Sequence, residues 1–148
     1  DTPDTVQFRS LEAVLADARE WVEQWSGAPF DLVIEDLFAP SNRNVTRGVP
    51  AEREWCRALT RLVAPGGSLV MNFGDWPEYR HSWAATNAAQ RGWRRGFRLS
   101  TPDCHNAVVC WLRRSSSSAE LRRRVRAWPE LDRDLDQGRL QYGIRRLF

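Results

Sequence analysis

The segment FDLVIEDLFAP, residues 30–40, limits the possible folds more than any other stretch of the chain. Phe30, Leu32, Val33, Ile34, Leu37 and Phe38 put apolar side chains on both faces of an extended backbone, which predicts a strand over 30–38 buried on both sides. Such a strand needs a neighbour along each edge and a layer over each face, the arrangement of an α/β sheet. Yet it ends in two adjacent acids, Glu35 and Asp36.

The elements around it predict a strand–helix alternation. Residues 1–10 are polar and read as a connection. The spacing of SLEAVLADAREWVEQW fits two arrangements. One is a continuous helix over 10–25, with Ser10 as N-cap and Leu11, Val14, Leu15, Ala18, Val22 and Trp25 on one face. The other is a short strand through LEAVLA, a turn at Asp17 and a helix from Ala18 to Trp25, closed by Gly27 and Pro29. APSNRNVTRGVP reads as a polar loop with a proline at each end. A helix is expected from Ala51, with Pro50 at its start, Glu52 and Glu54 in its first turn, and Trp55, Leu59, Leu62 and Val63 as its apolar stripe. PGG at 65–67 stops it, and SLVMNF follows as a second buried strand. RHSWAATNAAQRGW reads as a weaker helix ending at Gly92. FRLST and NAVVCWLRR form an antiparallel hairpin across the PDCH turn. SSSSAELRRRVRAW is a serine-capped helix with Leu121, Val125 and Trp128 on one face, ended by Pro129. RLQYGIRRLF closes the chain as an edge strand or docked extended segment. This order predicts one α/β domain over 1–148 with a mainly parallel sheet, and ligands of such sheets bind beyond the carboxyl ends of the strands.

Composition excludes several functions. The chain is long enough for one ordinary core. No apolar run reaches the roughly 18 residues that span a bilayer and no signal peptide opens the sequence, so a soluble, cytoplasmic protein without a membrane partner is expected. The only methionine is Met71, consistent with a processed or truncated piece. All 22 basic residues are arginine, which removes lysine-nucleophile and Schiff-base chemistry. Acids nearly balance them at a net charge of +3, a weak footprint for nucleic acid. The RGWRRGFR and ELRRRVRAW segments therefore read as solvated faces. Cys56, Cys104 and Cys110 form no CxxC pair and are expected as reduced thiols, at least two of them packed. His81 and His105 lack metal-ligand spacing, so no metal site is expected. Trp25, Trp55, Trp83, Trp111 and Trp128 sit on apolar faces and read as core.

ADAREWV, FDLVIEDLFAP and LTRLVAPGGSLVMNF, in this order and spacing, resemble the spermidine synthase-like branch of the class I S-adenosylmethionine-dependent methyltransferase fold, over residues 11–114. The resemblance implies a Rossmann-like, methyltransferase-type sheet, partial because the Gly-rich first strand–turn–helix unit and the ribose-binding acid have no counterpart, with a C-terminal antiparallel hairpin and residues 115–148 as a helix and tail. It implies methyl or aminopropyl transfer to an amine or other small acceptor, with S-adenosylmethionine or its decarboxylated form as cofactor. Asp17 takes the place of the adenine-binding acid, with the Ala18 backbone N–H beside it. An exposed acid or a helix N-cap is the alternative reading of Asp17. Asp36, with Leu37 next to it, matches the acid at the end of the fourth strand, which holds the acceptor amine and helps remove its proton. Strand alternation turns Glu35 to the opposite face, as a structural or salt-bridged acid. Asn72, Asp75 and Trp76 follow as acceptor-pocket candidates, with loop capping as the other reading. Ala39 stands where polyamine-making enzymes carry a second acid, which weighs against spermidine synthesis proper. The absent unit leaves the 30–38 strand in need of cover, by a second copy of the chain, a missing N-terminal segment or another polypeptide. A degenerate, non-catalytic module that binds a partner protein is the alternative function.

Overall fold

A computed structural model describes residues 12–41 and 44–148. The main sheet has five strands in the order β1-β4-β6-β5-β7, formed by β1 (Phe30–Glu35), β4 (Val63–Phe73), β5 (Arg95–Ser100), β6 (Ala107–Leu112) and β7 (Gly143–Arg146). Six α-helices accompany them among the described residues: α1 (Ala18–Gln24), α2 (Arg53–Leu62), α3 (Trp76–His81), α4 (Asn87–Gln90), α5 (Ser118–Arg126) and α6 (Pro129–Asp136). The α/β class expected from the sequence is found, but the sheet is mixed. β1 and β4 run parallel, whereas β6 is antiparallel to both β4 and β5, and β7 is antiparallel to β5. The hairpin return strand slots between β4 and β5, so pairings that helical crossovers would have made parallel become antiparallel.

The expected hairpin pairs Arg95 with Leu112 and Leu99 with Val108. The tail docks as β7, with Ile144 opposite Leu99. α2 begins at Arg53 and buries Trp55, Cys56, Ala58, Leu59 and Leu62 against the sheet. Val63 passes into β4 instead of closing the helix. Between Val63 and Ser68 the β1–β4 register jumps, and PGG forms the bulge. Gly66 has φ +81°, a left-handed conformation suited to glycine. At Gly67 a Cβ would lie 2.9 Å from the Asp31 carbonyl oxygen and 2.9 Å from Val63 Cγ1. Gly67→Ala should therefore cost about 1–3 kcal/mol in urea unfolding; an unchanged midpoint would refute this tight approach.

Several expectations are corrected. Ser10 and Leu11, which would begin the long N-terminal helix, lie outside the described residues. Residues 12–17 are neither helix nor strand, against the continuous helix and the LEAVLA strand alike, while the helix from Ala18 in the second arrangement is found, capped by the Asp17 carboxylate. The strand expected over 30–38 stops at Glu35. Phe38–Ser41 (β2) instead pairs antiparallel with Asn44–Arg47 (β3), so most of the expected polar loop is a ribbon. Long-range bonds to Arg47, invisible to local pattern, dock it. The single helix expected before Gly92 is broken into α3, a 3-10 turn at Trp83–Ala85 and α4. Pro129 does not simply end a helix but opens α6 at a position where a missing N–H costs nothing. Trp55 and Trp111 are core, while Trp25 and Trp128 are 37% exposed.

The two faces of the sheet are filled unequally. Leu69, Met71, Phe73, Val109 and Trp111 pack with α2 in the larger core. Phe97, Leu112 and Ile144 form a smaller cluster on the opposite face, with Leu121 of α5. That second layer stops short of β1. Leu32 is 52% and Ile34 66% exposed, so the strand expected to be buried on both faces is covered on one. Among the described residues β1 pairs only with β4. No helix among them is long and apolar enough to cross a membrane.

Candidate functional site

β1 and β4 end side by side. Glu35 pairs with Met71, which brings the next residues, Asp36 and Asn72, level at the carboxyl ends of two parallel strands. Asn72 Nδ2 donates to Asp36 Oδ1 at 2.8 Å, and Asn106 Nδ2 donates to Asn72 Oδ1 at 3.1 Å. A carboxylate only accepts, so the polarity of this chain is set from Asp36 outward. Asp36 is exposed, and Asn72 and Asn106 are half-buried. The second carboxylate oxygen of Asp36 has no protein partner among the described residues. Its carboxylate is thus held in orientation through one oxygen.

The opposite face carries the other acid. Glu35 is buried and paired with Arg47 Nη1 at 2.6 Å. The same guanidinium reaches Glu78 Oε1 through Nε at 2.8 Å, donates to the Asn72 carbonyl through Nη2, and lies over the Phe73 ring at 4.6 Å. Glu78 in turn accepts from the Gly74 N–H at 2.7 Å. Burial raises the Glu35 carboxyl above its ordinary range, opposed by Arg47 and by the Leu37 N–H. The salt-bridge reading of Glu35 is found, and Arg47, which the sequence reading missed, is its partner. Arg47 fastens the β2–β3 ribbon beneath the strand ends that carry Asp36 and Asn72.

Asp17 Oδ1 accepts from the Arg19 and Glu20 amides at 2.8 and 3.2 Å, both inside α1. Ala18 begins α1 and packs against the larger core. The Leu37 N–H points to Glu35 Oε1 at 3.4 Å, and its carbonyl accepts from Gly48 at 2.8 Å. Asp75 caps α3 by accepting from the Glu78 N–H. Trp76 stacks on Tyr79 with Arg98 4.5 Å from its ring centre. The structure therefore joins Asn72 to Asp36 and uses Asp17 and Asp75 as caps. Asn106 was also missed; its only signal was a polar residue at the end of a turn entering β6.

Cys56 is buried, Cys110 half-buried and Cys104 exposed, all as free thiols. Burial pushes Cys56 up to about 12 and Cys110 up to about 11. His81 and His105 are exposed. Among the described residues no group of three or more His, Cys, Asp or Glu side chains is placed to hold a metal ion. A groove of about 600 Å³ at α1 and α2 is lined by Arg19, Glu23, Glu54, Arg57 and Arg61 among others, a solvated set of mixed charge. Comparison with protein-family models, curated proteins and solved structures finds no match.

Proposed function

We propose that this chain supplies the acceptor side of an S-adenosylmethionine-dependent transferase of spermidine synthase-like, Rossmann-like type, with Asp36 holding the acceptor amine. One observation carries the reading: a carboxylate at the ends of two parallel strands, fixed through one oxygen by Asn72 and without a partner at the other among the described residues. An amine placed there donates to that second oxygen, and Asp36 takes up the proton that the nitrogen loses. Asn72 and Asn106 keep the carboxylate from rotating, so that less ordering is left to occur on binding.

The residues present do not fit a whole nucleoside cofactor. No glycine-rich turn and no ribose-binding acid occur in the sequence, and Asp17 already serves as a helix cap. The nucleoside is then held by further polypeptide, a second copy or another segment, laid along the edge of β1 that has no partner among the described residues. Leu32 and Ile34 add exposed apolar surface on the sheet face beside that edge. The same surface favours the second reading, a non-catalytic module that binds a partner through β1.

The test is label transfer by the protein as isolated from its source, with S-adenosylmethionine or its decarboxylated form and a panel of amines. Label on an amine, lost in Asp36→Asn, is the expected result. No transfer to any amine, with a partner protein held equally well by wild type and Asp36→Asn, would leave the binding module. Putrescine with the decarboxylated cofactor should yield little spermidine, because Ala39 offers no carboxylate to a second ammonium. Rapid spermidine formation would defeat that prediction.

A further inference from the structure

One cross-strand row changes character along its length. Asn72 pairs with Val108, Val108 with Leu99, and Leu99 with Ile144, so these side chains share the face of the sheet on which Asn72 meets Asp36. At the β1–β4 end the row is polar. At the other end Val108, Leu99 and Ile144 floor a cavity of about 340 Å³, walled by Val125 of α5, Leu131 of α6 and Leu140. No charged side chain lines it. Asn106 belongs to both ends, since it lines the cavity and donates to Asn72. An apolar cavity of this size with a few polar groups at one end is the usual form of a small-molecule site.

We propose that the acceptor is a monoamine with an uncharged, apolar body, its nitrogen at Asp36 and its body in the cavity between the sheet and α5–α6. This rests on the reading of Asp36 as the acceptor-holding carboxylate. β1 and β6 are two strand spacings apart, about 10 Å, which a short alkyl chain ending in a ring or branched group spans. A diamine of the same reach would bury its second ammonium among Leu99, Val108 and Ile144 without a counter-charge, at a cost of several kcal/mol. The lining thus excludes the polycations that Ala39 already disfavours, by an independent route.

Cys104 lines the same cavity and is the exposed cysteine, so its alkylation by iodoacetamide reports occupancy without any cofactor. The raised thiols of Cys56 and Cys110 contribute little thiolate and little background. The probes are phenylbutylamine, phenylbutanol and 1,7-diaminoheptane, a diamine whose nitrogens lie about 10 Å apart when extended, read by mass spectrometry on the intact chain. At about ten times its dissociation constant, phenylbutylamine should slow Cys104 alkylation about tenfold. Asp36→Asn should weaken the amine about fivefold and leave phenylbutanol unchanged. Leu131→Asp, at a position already 38% exposed, should keep the circular dichroism spectrum and remove protection by both phenyl compounds. The proposal is overturned if neither phenyl compound slows alkylation, if 1,7-diaminoheptane protects as well as phenylbutylamine, or if Asp36→Asn affects amine and alcohol alike. Protection with the expected Asp36 dependence, but no label transfer to phenylbutylamine from either cofactor form, supports the amine site and refutes the transferase reading alone.

Discussion

Arg47→Met should destabilise the protein by about 3–5 kcal/mol, because it leaves a buried carboxylate without its counter-charge. The Arg47 side chain is 6% exposed and that of Glu35 2%, so water cannot replace the lost partner. The Asn72 carbonyl and Glu78 lose a donor as well. For a chain of this length the melting temperature should fall by on the order of 10 °C. The pH dependence identifies the cause. Burial raises the folded-state pKa of Glu35 above the ordinary 4.5, so the native state binds this proton more tightly than the unfolded chain does. Stability from that group is fully present below about pH 4.5 and is lost as pH rises through the folded value. Removing Arg47 takes away the main opposing influence and raises that value further. The variant should therefore be closest to wild type in acid and diverge from it towards neutral pH. Adding Glu35→Gln should recover much of the loss at about pH 7, since no charge then remains buried. A pH-independent loss, or no recovery in the double variant, would mean that the packing of Arg47 over Phe73 and Phe38 is what matters.

Asp36→Asn should lower transfer about 10²–10⁴-fold, the usual weight of a positioned proton acceptor. The amide keeps an oxygen for Asn72 Nδ2, so the bond at 2.8 Å survives. What disappears is the negative charge and the capacity to take a proton. Because Asp36 is exposed, unfolding free energy should change by no more than about 0.5 kcal/mol. Single-turnover kinetics beside a denaturation curve separate the two effects. Turnover within a few fold of wild type would end the assignment of Asp36. A large loss of stability would show that its hydrogen-bond chain is structural.

The contrast between these neighbours shows what was legible. Strand alternation alone placed Glu35 and Asp36 on opposite faces and marked Glu35 as the acid that needs a partner. It could not name Arg47, twelve residues away, because that residue reaches Glu35 only after the chain turns back between β2 and β3. Asn72 was a candidate on position. Its partner Asn106 enters through the β4–β6 pairing, a contact between residues 34 apart.

Local chemistry in the chain was enough for those elements whose signals are periodic or terminal. These include the amphipathic face of α2, the serine cap of α5 and the β5–β6 hairpin, each settled by neighbours within a few residues. Asp17 as a cap belongs with them. Other features depended on assembly. β6 enters between β4 and β5 and makes the sheet mixed, and an arginine holds what reads locally as a loop. α5 and α6 cover one end of a sheet face and leave Leu32 and Ile34 bare at the other. The physical reason is range: caps, turns and hydrophobic period act over one or two helical turns, whereas strand order, ion pairing and burial arise when segments distant in sequence compete for the same surface.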